Sequence, residues 1–192
     1  MGVPKPPGDT LAQLASGIEA GVIGGMAMLL LLVSGSLLLG RAWVEVPNLL
    51  GSTFYGARAF RQAAGLATLS GIALHFVITG AVGALFGLLC GRVHERRRLI
   101  LLGLAGGFVW YYLADAVFWS RVNPLVPIYS PQPTTLLAHA LFGACLGYMG
   151  RHSAGYPVQH PAEGAGQLPG QPPPLPPPVP DGTAEPFKDA LE

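Results

Sequence analysis

Four stretches of the chain carry no formally charged residue and are dense in Leu, Ala, Ile, Val and Gly. They lie between Glu19 and Arg41, Arg61 and Arg92, Arg98 and Asp115, and Arg121 and Arg151. A helix rises about 1.5 Å per residue, so roughly 20 apolar residues cross a hydrocarbon core of about 30 Å. The pattern predicts an all-α membrane protein with four transmembrane helices in a bundle, spanning about residues 18–40, 64–91, 98–119 and 134–150. The third run is the shortest, because Asp115 interrupts it, and that acid is expected at or just under the outer interface.

Within the runs, small and polar residues recur every four positions, which places them on one helical face. In the second span the face is Gly71, His75, Thr79, Gly83, Gly87 and Gly91; in the third, Gly103, Gly107, Tyr111 and Asp115; in the fourth, Thr135, His139, Gly143 and Gly147. The first span adds Gly17, Gly21 and Gly25. Lipid tails solvate Leu and Phe as well as protein does, whereas small residues let two backbones approach, so these faces are predicted to pack helix on helix. The same glycines, if exposed, would support self-association.

The connections read differently. Residues 43–62 mix Trp43, Phe54, Tyr55 and Phe60 with Glu45, Arg58 and Arg61, the composition of the headgroup region. They are predicted to form an interfacial segment, broken at Pro47 and Asn48 and continued as a short surface helix. Pro124, Pro127, Pro131 and Pro133 are taken to forbid regular helix in the link before the fourth span. Thr10 and Gln13 fit a capping box at the start of the first helix.

Composition agrees with the membrane class: of 192 residues, 51% are hydrophobic and 11% charged, and the mean hydropathy is +0.46. Residues 1–151 read as the membrane domain. Residues 152–192 are rich in Pro, Gly and acids without apolar periodicity, and are expected to be a disordered cytoplasmic tail. The run from Pro172 to Pro180 reads chiefly as a spacer, with a weak PxxP-type contact as its alternative. The arginines at 92, 96, 97 and 98 form a short basic loop, which marks that loop and both termini as cytoplasmic and needs no nucleic acid to explain it. Small size and Ala/Gly/Leu-rich spans suggest a bacterial inner membrane.

The two halves also resemble each other. Trp43, Val46, Pro47, Asn48 and Leu49 follow the first span as Trp119, Val122, Asn123, Pro124 and Leu125 follow the third, and each half then reaches a Tyr, a Thr, a His and a GAxxG. Two tandem helical hairpins are one reading of this, and chance similarity among apolar segments is the other.

Three ionisable residues on glycine-lined faces, His75, Asp115 and His139, with Tyr111 beside them, form the candidate site in the outer half of the bundle. The plainer reading is interhelical hydrogen bonding by neutral imidazoles, worth about 0.6–2 kcal/mol each. A proton or small-cation path is the alternative, and bis-histidine haem a lesser one, since His139 counts about one turn deeper than His75. No HExxH, GxSxG or CxxC occurs, so no catalytic residue, metal or cofactor is assigned, and a non-enzymatic membrane protein is expected. Cys90 and Cys145 read as small apolar fillers.

Overall fold

The computed structural model describes residues 7–93 and 95–149. The tail of residues 152–192, with its proline run, and His94 lie outside the described residues. Helix α1 is Pro7–Leu38, α2 is Glu45–Tyr55, a 3-10 turn covers Ala57–Arg61, and α3 is Leu66–Cys90. Helix α4, Arg96–Leu113, continues through a π segment, Ala114–Trp119, into the short α5, Ser120–Val122. Then come α6, Leu125–Tyr129, and α7, Gln132–Met149. Among the described residues no strand occurs.

Three helical runs, not four, are long and apolar enough to cross a membrane: Thr10–Leu38, Leu66–Cys90 and Arg96–Val122. This corrects the expected four-span count. The fourth predicted span does form a helix, α7, but it has only 18 residues and opens on Gln132, Pro133, Thr134 and Thr135, with His139 one turn on. After that polar start, the apolar remainder falls short of the roughly 20 residues that a hydrocarbon core asks for. Protein covers one face of α7: Ala138, Phe142 and Leu146 are fully buried and join Met28 and Phe86 in the main apolar core, while Leu137 and Leu141 stay exposed. On the outer faces of the three spanning runs, Leu30, Val77, Leu85, Leu101 and Val109 stand exposed, as acyl chains require. The chain is a multi-pass all-α membrane protein.

Two antiparallel helix pairs carry the bundle, and glycine is the reason they can form. A Cβ at Gly17 would run into the carbonyl of Gly83, one at Gly21 into that of Thr79, and one at Gly87 into that of Gln13. The same holds between α4 and α7, where Gly103 faces the Gly143 carbonyl, Gly107 that of His139, and Gly147 the backbone of Leu99 and Ile100. The pairs meet where α1 crosses α7, with Gly24 lying against Phe142 and Cys145. Gly91 departs from the pattern, being exposed at the end of α3 beside the Gln13 side chain. The other glycines of these faces are spent inside the chain. The surfaces expected to drive self-association are therefore occupied by the protein's own helices.

The connections are more helical than their prolines predict. Pro47 falls in the first turn of α2, and Pro127 and Pro133 fall in the first turns of α6 and α7. In a first turn the missing N–H has no helical acceptor to lose, and the ring presets φ. Helix α1 likewise begins at Pro7, so Thr10 lies within the helix and not at its cap. Nor does α2 lie free on a surface: Pro47 to Ser52 are buried, and Gly51 and Gly71 let α2 and α3 cross backbone to backbone.

The cap that results has its own small core of Leu49, Leu50, Phe60 and Val126, with Trp119 and Leu125 packed on it. Two buried amides fasten it. Asn48, 0% exposed, donates through Nδ2 to the carbonyl of Gln62 at 2.7 Å, and its Oδ1 accepts from Thr68 Oγ1 at 2.6 Å. Asn123 donates through Nδ2 to Leu49 O, Ser52 Oγ and Thr53 Oγ1 at 3.1, 2.9 and 3.1 Å, and accepts from the Leu125 N–H. One asparagine ties α2 to α3 and the 3-10 turn; the other ties the link before α7 to α2.

Candidate functional site

Between the bundle and the cap lies a cavity of about 80 Å³. Met28 and Leu32 of α1 line its floor, Leu49 and Val126 its roof, and His75, Thr79, Thr135 and His139 one side with Trp110 and Trp119. Its size is about half that of an engineered apolar cavity that admits benzene, so it holds a few waters or a small organic molecule.

His75 and His139, counted one turn apart in depth, both reach it. His75 stands one turn beyond Thr79, where its Nε2–H donates across the helix gap to the carbonyl of Gly25 at 2.9 Å. His139 donates within its own helix, from Nδ1–H to the Thr135 carbonyl at 2.8 Å. The tautomers follow: His75 keeps Nδ1 and His139 keeps Nε2 as a bare acceptor. No buried side-chain polar atom among the described residues lacks a partner, and neither nitrogen is bonded. Neither nitrogen is therefore sealed off, and both residues line the cavity.

Tyr111 supports this arrangement from behind. Its ring meets His139 edge-on at 5.3 Å between centroids, and its hydroxyl donates to Gln132 Oε1 at the start of α7. Asp115 is not among the residues that line the cavity. Five residues per bond, in place of four, put Trp119 above the buried Ala114, so the indole lines the cavity, while Asp115 stays half-buried with its charge acting on Tyr111 and His139. The Asp115 backbone carbonyl accepts from Ser120 Oγ at 2.8 Å within the same distortion. The four-residue spacing that aligned Gly103, Gly107, Tyr111 and Asp115 thus holds as far as Tyr111.

Two charged residues reach the cavity that sequence reasoning did not place there. Arg41 and Glu45 form an ion pair at 3.2 Å and line it together. Arg41 is set by the end of α1, where Gly40 adopts φ +71° and the Arg41 N–H turns back to the Ser36 carbonyl at 2.9 Å. This is a glycine-terminated helix end. The i,i+4 spacing of Arg41 and Glu45 was the available signal, although the loop between α1 and α2 hid it.

The donor set does not fit the metal readings. Among the described residues no group of three or more His, Cys, Asp or Glu could hold an ion. A porphyrin needs a pocket several times the size of this cavity, within the range of about 300–1,000 Å³ common for larger ligands. Among known proteins, the chain matches no protein-family model, no curated sequence and no solved structure.

Proposed function

We propose that this is a non-enzymatic membrane protein that binds a small, mainly apolar solute bearing a hydrogen-bond donor in the capped cavity. The observation that carries this reading is a largely apolar space lined by two indoles and by two histidines that each keep one ring nitrogen without a bond. Both ring nitrogens accept and neither carries a charge that the cavity must balance, which favours a neutral donor such as a short alcohol. A cation finds less there, because the lining acid, Glu45, already holds Arg41. The mainly apolar lining favours binding of a neutral solute over conduction of protons or small cations. We place the protein in a bacterial inner membrane, with the basic loop of residues 92–98 on the cytoplasmic side.

The test uses the tryptophans that line the cavity. In Trp43→Phe protein, purified in mild detergent, Trp110 and Trp119 remain to report on ethanol, 1-propanol and 1-butanol. The reading expects a saturable fluorescence change that is lost in His139→Phe. A change that rises linearly and equally in both proteins would mean partitioning into detergent and would overturn it. In proteoliposomes the protein should leave proton and rubidium leakage at the level of empty vesicles.

A further inference from the structure

Beside the cavity a second, wider recess of about 420 Å³ opens between the end of α1, the 3-10 turn and α6. Arg41, Glu45 and Tyr129 line both spaces and form the wall between them. Arg61 and Gln62 complete its polar side, and Phe60 its apolar one.

Its two arginines are not alike. Arg41 is paired with Glu45, whereas Arg61 makes no ion pair among the described residues, and both look into the same recess. Arg61 is also held in place. Ala59 and Phe60 are buried beneath it, the Phe60 ring packs on Tyr129 at 4.9 Å, and the next carbonyl, of Gln62, is gripped by the buried Asn48. A guanidinium carries five N–H donors in a fixed fork that matches an oxyanion, and Arg41 shows one contact to Glu45, leaving donors over. The flanking spans end at Leu38 and resume at Leu66, so the recess lies just beyond the hydrocarbon, at headgroup level.

We propose that this recess is a binding site for a phosphate-type oxyanion, received between Arg61 and Arg41. The proposal stands whether or not the inner cavity takes a guest. The anion meets Arg61 first and then competes with Glu45 for Arg41, so its affinity depends on both arginines. Arg58, on the same 3-10 turn, is exposed and does not line the recess, and it serves as the internal control.

Binding is measured on the full chain in detergent by native mass spectrometry, titrating phosphatidylglycerol and, separately, phosphatidylcholine. Inorganic phosphate is tested by thermal shift in phosphatidylcholine nanodiscs. Arg61→Gln is expected to weaken binding of the anionic probe about tenfold, the cost of one lost charge-assisted contact. Arg61→Lys should recover part of that loss, and Arg58→Gln should stay within about twofold of wild type. If phosphatidylglycerol shows this pattern, the ligand is a lipid headgroup; if inorganic phosphate does, it is a soluble anion. Equal losses in Arg58→Gln and Arg61→Gln, or no effect of Arg61→Gln on either probe, would overturn the site. Arg61 is exposed, and an unchanged melting temperature without ligand checks that each variant folds.

Discussion

In the bundle, α1 meets α3 and α4 meets α7 where side chains are missing; in the cap, α2 and the link before α7 are joined by side chains that are fully enclosed. Gly17, Gly83, Gly103 and Gly143 contribute absence, and backbones touch across the gap. Asn48 and Asn123 contribute amides that reach six partners between them, all backbone carbonyls or hydroxyls except the Leu125 N–H. Lipid gives apolar helices no incentive to associate except contact, so shape decides there. The cap sits where irregular backbone must find partners, and there each open carbonyl or N–H needs a designated side chain. The cavity lies along the seam between these two modes of assembly, which is why its lining is apolar below and polar at one side.

The contrast can be broken most severely in the bundle. Gly83→Leu would drive a side chain into the Gly17 carbonyl and the Gly21 backbone, and it is expected to cost at least about 3 kcal/mol in SDS-titration unfolding followed by tryptophan fluorescence. Asn48→Ala should cost about 2 kcal/mol, because the Gln62 carbonyl and the Thr68 hydroxyl both lose a buried partner. Its signature should be local: hydrogen exchange should rise over residues 45–68 while α1, α4 and α7 stay protected. His75→Ala, which removes one bond to the Gly25 carbonyl, should cost about 1 kcal/mol by the same titration. The smallest effect sharpens the comparison. Gly80 lies in the same helix as Gly83, but a Cβ there would come no closer than 3.9 Å to a neighbour. Gly80→Ala should therefore be neutral or stabilising by up to about 1 kcal/mol through helix propensity. Equal losses at positions 80 and 83 would mean that backbone contact is not what the glycines provide.

What was legible in the sequence follows the same divide. Four-residue periodicity located the glycine faces and the two histidines, because a regular helix carries spacing directly into geometry. It lost track where the helix is not regular, at the π segment, which brings Trp119 and not Asp115 to the cavity lining. An uncharged run also does not by itself separate a helix that spans from one that does not, and α7 falls short through its polar first turns and its 18 residues. The cap was the least legible part. Pro47, Pro127 and Pro133 read as breaks, although each sits in a first turn. Asn48 and Asn123 were visible beside the prolines of the two matching links, yet a lone asparagine does not say whether it meets water or, as Asn123 does, a carbonyl 70 or more residues away.

The π segment also makes the length of this helix adjustable. A π turn holds one residue more than an α turn, so the run from Ala114 to Trp119 stores a spare position without disturbing what precedes it. Deleting Ala116 would return the segment to ordinary pitch and bring the indole from five places to four after Ala114, which keeps it on the inward face. An insertion would have no such slack to draw on. The chain can thus be shortened at this point more safely than it can be extended, an asymmetry that a scan of single-residue deletions and insertions along α4 would expose.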